Sequence, residues 1–208
     1  REIIPTLQWL KRCHPDTQTI LGLRDIMDDA ASTKQDWEEK NVYDVLEQYY
    51  SEIWVYGNQD FYDPIREYDI PENISSKIVF TGYIQRRVTK PGEVREVRRE
   101  QRLEPEEKLV VVTTGGGGDG YAHMDAYLRM LEEWGGSPPF RTVMVTGPFM
   151  PKKMRTDIFN RSRNLAVRSY RFYRRMERLI GAADVVVSMG GYNTVCEILS
   201  QGKPSLII

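Results

Sequence analysis

Cysteine and histidine are nearly absent from this chain, with two of each among its 208 residues. Cys13 and Cys196 lie far apart and neither has metal-ligand spacing, which argues against a disulfide framework or a zinc site. A reducing, cytoplasmic setting fits this usage best. The N-terminus lacks a signal-peptide pattern, and no uninterrupted apolar run approaches the ~20 residues of a bilayer-crossing helix. Contact with a membrane could only be peripheral, at its inner face. Excess charge of one sign is missing too: 29 Lys and Arg face 30 Asp and Glu, a net charge of -1. Nucleic acid is therefore not an expected partner, and any anion binding must be local.

What is present is ordinary globular material, 40% hydrophobic and 28% charged, enough for one large domain or two modest ones. From Ile78 onward, short apolar runs alternate with helix-like stretches. The runs are Ile78–Tyr83, Leu109–Thr113, Thr142–Thr146, Leu165–Arg168, Val185–Ser188 and Leu206–Ile208; helices are expected over Tyr121–Trp134, Phe172–Ile180 and Thr194–Gln201. This alternation predicts an α/β fold with a parallel sheet and right-handed crossovers. Residues 1–77 read as part of another unit, with strands at Thr19–Leu23 and Ile53–Tyr56 and one helix over Asp36–Tyr50. The turn chemistry of Asp69–Ser76 sets the expected boundary, giving domains 1–77 and 78–208. Gln85–Lys108, rich in Arg and Glu, is expected to be an exposed connection. The chain starts at Arg1 and stops at Ile208 inside an apolar run, so a fragment is expected.

Thr113-Thr-Gly-Gly-Gly-Gly-Asp-Gly120 follows a strand and precedes a helix, where doubly wound folds bind phosphates. Gly115, Gly117 and Gly120 formally satisfy G-x-G-x-x-G, but the next strand ends Val145-Thr-Gly-Pro148 without the carboxylate that a dinucleotide ribose requires. No Lys-Ser/Thr follows the glycines, which argues against a nucleotide-triphosphate loop. A sharp turn alone would need fewer glycines than the four at Gly115, Gly116, Gly117 and Gly118, so close approach of a ligand or a facing domain is expected. His123, on the first turn of the following helix, is a weak candidate for acid/base work, with an exposed surface histidine as the alternative.

The most specific stretch is Asp184-Val-Val-Val-Ser-Met-Gly-Gly-Tyr-Asn-Thr-Val-Cys-Glu197. A strand, a glycine turn and a helix start can hold a diphosphate on free N–H groups and the positive end of the helix dipole. Glu197, one turn in, can accept hydrogen bonds from a ribose diol. The competing reading is a capping box, with Thr194 and Glu197 both serving the helix backbone. Cys196 is expected in the core, with Val195, Ile198 and Leu199 as an apolar stripe facing the sheet.

These residues resemble the C-terminal domain of glycosyltransferase family 28, the family of the peptidoglycan N-acetylglucosaminyltransferase. The likeness rests on the Ala-Asp strand with its glycine turn, Thr194-x-x-Glu197, Gly202-Lys-Pro204 and the eight-residue step from Met176 to Asp184. Over the full chain it is similar to predicted bacterial glycosyltransferases carrying Leu21-Gly-Leu-Arg-Asp-Ile26, Val55-Tyr-Gly57 and Met189-Gly-Gly-Tyr-Asn-Thr194.

The resemblance implies a GT-B architecture: a Rossmann-like donor-binding domain preceded by part of a second Rossmann-like domain. It implies a nucleotide-sugar substrate, a uridine diphosphate sugar, with no cofactor, no metal and an inverting transfer to an unknown glycan, lipid-linked or small-molecule acceptor. Glu197 would hold the ribose, Phe172 and Tyr173 lie in the base-reading segment, and Gly190, Gly191, Asn193 and Thr194 surround the diphosphate. Gly115–Gly118 would approach from the opposite loop. The family's catalytic base would lie before Arg1. Met189-Gly190 and Tyr192-Asn193 depart from the peptidoglycan enzyme's Arg-Ser and Ala-Leu, which leaves the sugar open. An epimerase or hydrolase on the same donor site, and a non-catalytic nucleotide-sugar-binding module, are the alternatives.

Arg161, Arg163, Arg168, Arg171, Arg174, Arg175 and Arg178 concentrate around the base-reading segment. They are read as a solvated helix face, with Arg174 and Arg178 one turn apart, or as a lure for diphosphate or anionic lipid.

Overall fold

The computed structural model describes residues 2–208, which form two compact units that divide between Ile84 and Gln85. In the first, helix α1 (Ile4–Cys13) precedes strand β1 (Ile20–Arg24), helices α2 (Ala30–Glu39) and α3 (Val42–Tyr49), and strand β2 (Glu52–Tyr56). Short helices α4 (Pro64–Glu67) and α5 (Glu72–Ser75) lead to β3 (Ile78–Phe80). The strands are parallel in the order β1-β2-β3. Alternate residues Ile53 and Val55 point to the face where Trp37, Leu46, Tyr68, Ile70 and Ile74 form the core.

Three expectations are corrected here. Strand β3 pairs with β2, Ile53 opposite Ile78, so the boundary falls after Ile84 rather than before Ile78. The expected single helix over Asp36–Tyr50 is two, parted where Asn41 takes a left-handed φ of 51°. Asp69–Ser76 is not a linker, because α5 buries Ile74 in the first core.

The second unit opens with α6 (Pro91–Glu100), in place of the expected exposed connection. Arg95, Glu96, Arg99 and Glu100 are exposed while Val97 is buried, a helical pattern masked by the surrounding Arg and Glu. There follow β4 (Lys108–Thr113), α7 (Tyr121–Glu133), β5 (Phe140–Val145), α8 (Lys152–Ser162), β6 (Val167–Tyr170), α9 (Met176–Ala182), β7 (Val185–Ser188), α10 (Tyr192–Gln201) and β8 (Ser205–Ile207). All five strands are parallel, in the order β6-β5-β4-β7-β8.

Period-two alternation in β4 sends Leu109 and Val111 to a core shared with Leu179, Ile180 and Ile198, and Val112 to one shared with Met124, Leu128 and Ile158. Helices α9 and α10 therefore cover one face of the sheet, and α7 and α8 the other. Strand β6 lies two residues later than expected and α9 starts four residues later, so Arg174 precedes the helix and does not share a face with Arg178. Cys13 and Cys196 are both free, the second buried as expected. Among the described residues no helix is long and apolar enough to cross a membrane.

Candidate functional site

The chain leaves β4 for α7 on one face and leaves β7 for α10 on the other, although the two strands are neighbours. Such a reversal opens a crevice beyond the carboxyl ends of the strands, the usual ligand site of an open parallel sheet. The glycine loop after β4 and the Gly190-Gly191 turn after β7 flank that crevice. An ideal Cβ on Gly115 would lie 3.9 Å from Thr194 Oγ1, so the structure brings these two sequence-predicted segments together.

Helix α10 begins at Tyr192 with Gly191 as its N-cap, and no side chain caps it. The capping-box reading is overturned: Thr194 is the third helical residue, too far in to cap, and Glu197 lies a turn deeper. A first turn without a side-chain cap offers N–H groups and the positive dipole end to an anion. Gly190 makes the turn possible, with φ of 71° and an ideal Cβ only 2.8 Å from Ile207. Of the expected apolar stripe Val195, Ile198 and Leu199, only Ile198 is buried; Val195 is half-buried and Leu199 is 58% exposed, which corrects the expectation for Leu199, while Cys196 is buried as expected.

Glu197 is half-buried and has no hydrogen-bond or ion-pair partner among the described residues. Burial pushes its carboxyl above the usual carboxylate range, Arg86 pulls it back and Glu177 adds to the rise. Desolvating a carboxylate without pairing it is costly, and hydroxyl donors from a ligand would offset that cost.

Arg86 has no place among the sequence-predicted residues. Its guanidinium donates from Nη2 to Asn193 Oδ1 at 2.9 Å, and its Nε is enclosed and unpartnered. A fixed cation with a donor to spare beside an uncapped helix start suits a phosphate group. Only the fold shows it, since 107 positions separate Arg86 from Asn193.

Two of the four glycines in the run pack closely on a neighbouring loop. Gly117, with φ of 84°, packs so tightly on the β5–α8 loop that a Cβ would lie 1.9 Å from the Thr146 carbonyl oxygen. Phe149 N–H donates to the Gly116 carbonyl at 2.9 Å, and its ring rests on Gly116. Gly116 and Gly117 thus pack on a loop of their own unit and not on a facing domain, while Gly118 has open space around it.

Phe172 is 66% exposed and Tyr173 is half-buried; with Tyr170, Glu96, Glu100 and Arg174 they line a cavity of about 380 Å³ beside α6. Burial, with the Glu100 carboxylate beside it, pushes the Tyr173 phenol up to about 12. His123 sits on the first turn of α7 with Nδ1 enclosed and unpartnered, and makes no hydrogen bond to the α10 turn. Among the clustered arginines, Arg161 pairs with Asp125, Glu132 and Asp157, and Arg178 with Glu93 and Glu96. Arg171 donates to the Pro148 carbonyl and Arg168 to that of Glu100. These four are committed to the protein itself. Among the described residues no group of three or more His, Cys, Asp or Glu side chains is arranged to hold a metal ion.

Parallel α/β units, one with a switch-point crevice walled by a glycine loop and an uncapped helix, define the GT-B class of glycosyltransferase fold. Residues 109–208 match the glycosyltransferase family 28 C-terminal domain. No curated protein matches the chain. Among solved structures it is similar to Alr3699/HepE of Anabaena in complex with UDP-glucose, with a TM-score of 0.60 and 13% identity over 91% of this chain and 53% of that one. CalG4, the calicheamicin glycosyltransferase, matches with a TM-score of 0.53 and 12% identity over 98% of this chain and 51% of its own. A glycosyltransferase from Rickettsia africae ESF-5 gives a TM-score of 0.53 and 13% identity over 97% and 59%. The chain thus spans about half the length of the structures it matches. At such identities the likeness is one of fold.

Proposed function

We propose that the second unit binds a nucleotide diphosphate sugar, most simply a uridine diphosphate sugar, and that the protein transfers the sugar to an acceptor hydroxyl. The observation that carries this reading is Glu197, a desolvated carboxylate without a partner, one turn inside an uncapped helix start at the switch-point crevice. A ribose diol would donate to Glu197 while the diphosphate meets the first-turn N–H groups of α10 and Arg86. UDP-glucose bound to the similar Anabaena protein supports the donor class.

In the transfer, negative charge grows on the departing diphosphate. The α10 dipole and the Arg86 guanidinium are already placed to stabilise it, so this reading needs no metal. Single displacement with inversion follows the family resemblance. No residue between 2 and 208 is assigned as the acceptor's base.

Calorimetry with UDP, UDP-sugars and other nucleotide diphosphates tests the reading. Glu197→Ala is expected to cost roughly 1.5–3 kcal/mol of UDP binding, the worth of hydrogen bonds to a charged group. Unchanged affinity in a folded variant would remove the ribose assignment. Free sugar or an epimerised donor produced without acceptor would favour a hydrolase or epimerase, and donor binding without turnover by the full-length protein would favour a binding module.

A further inference from the structure

Arg86 does not reach the α10 turn by its side chain alone; residues 86–89 form a strap fastened along that helix. The Arg86 N–H donates to Ser200 Oγ at 2.8 Å, and Ser200 Oγ in turn donates to the Cys196 carbonyl at 2.7 Å. One residue on, Gln201 Nε2 donates to the Arg87 carbonyl at 2.8 Å, and Gln201 Oε1 accepts from the Thr89 N–H at 2.9 Å. Thr89 Oγ1 donates to the Glu177 carbonyl at 2.9 Å, anchoring the strap to α9 as well. Gly181 makes room for this contact, because a Cβ there would lie 2.5 Å from Thr89 Oγ1.

Asn193, Glu197, Ser200 and Gln201 follow each other at helical spacing, so the strap runs along the α10 face that carries the candidate ligand contacts. The hydrogen bonds from Ser200 and Gln201 fix the backbone on either side of the Arg86 Cα. Their effect on the site is to decide where the guanidinium stands.

We infer that Ser200 and Gln201 are positioning residues for the diphosphate subsite, acting through Arg86. This rests on the donor reading given above. A free arginine at the end of a loose segment would lose side-chain and backbone entropy on meeting an anion. The fastened strap supplies that ordering in advance, which is preorganisation in the ordinary sense.

The test is a double-mutant cycle read by calorimetry with UDP and with inorganic pyrophosphate. Ser200→Ala and Gln201→Met should each weaken both ligands several-fold, while Ser200→Thr, which keeps the hydroxyl, stays near wild type. In an Arg86→Ala background the Ser200→Ala and Gln201→Met losses should vanish, because the group they position is gone. A purely structural role would instead lower the melting temperature and leave the same fold-loss in both backgrounds.

Unchanged pyrophosphate affinity in folded Ser200→Ala and Gln201→Met, or losses that persist without Arg86, overturn the inference. If the wild type binds UDP and Glu197→Ala weakens it, the donor reading survives that failure. If the wild type binds neither ligand, both fall.

Discussion

Leu109 and Asp184 are joined twice: the Leu109 N–H donates to Asp184 Oδ2 and the Asp184 N–H donates to the Leu109 carbonyl, each at 2.8 Å. The pair stands at the entry of β4 and β7 and locks the register in which Val110 faces Val185. Six residues further along β7 and its turn, the same register sets Gly115 opposite the head of α10.

Removing the Asp184 carboxylate should therefore loosen the site from below. Asp184→Ala is expected to cost about 1.5 kcal/mol in denaturant unfolding, the low end for a charged hydrogen bond because the side chain is partly exposed. Burial alone would raise the Asp184 carboxyl, but the Leu109 N–H together with Lys108 and Arg98 holds it below its usual value of 3.8. A depressed carboxylate stabilises the fold above its unfolded pKa, so the gap between wild type and Asp184→Asn should be full at neutral pH. The gap should close as pH falls through and below 3.8.

Glu197 has the opposite sign. Its raised folded pKa means that the native state holds its proton longer than the unfolded chain, so stability falls as pH rises from 4.5 through the folded value. Glu197→Gln should melt higher than wild type at neutral pH, with the advantage disappearing below pH 4.5. UDP affinity of the wild type should decline over the same acid window as the ribose acceptor becomes protonated. A flat affinity profile there would count against Glu197 as that acceptor.

Two neighbouring glycines should behave differently. Gly117→Ala meets both a left-handed φ and the Thr146 carbonyl oxygen, and is expected to lose at least about 2 kcal/mol in chemical denaturation. Gly118→Ala meets nothing within 4 Å and should fold normally. Weaker UDP binding in folded Gly118→Ala would show that a ligand passes that position.

Arg86→Lys keeps the charge but loses the planar fork. If the guanidinium holds phosphate through paired N–H groups, the lysine should recover only part of the roughly 1.5–3 kcal/mol of UDP binding that Arg86→Ala loses. Full recovery on calorimetry would mean that a point charge suffices.

Much of the second unit was legible because β4, β5 and β7 are nearly unbroken apolar runs, as strands buried on both faces must be. Strand β6 begins two residues after the start of its apolar run, and only Val167 in it is fully buried, so its pattern is weak. Helix α6 carries little apolar signal because Val97 is its one buried residue. Strand β3 belongs to the first unit by its pairing with β2, and nothing in Ile78–Phe80 itself says which strand it will pair with.

Of the candidate site, the glycine turn, Thr194 and Glu197 were visible as local chemistry. Local sequence alone determined that a parallel sheet would form and that a glycine turn and a helix start would follow Ser188, because turns and helix starts depend on residues a few positions apart. Tertiary structure decided the rest. It set Arg86 against Asn193 and placed the glycine loop on Thr146 instead of leaving it wholly to a ligand. It also left Glu197 desolvated without a partner, since burial and pairing across the fold depend on which elements meet in space.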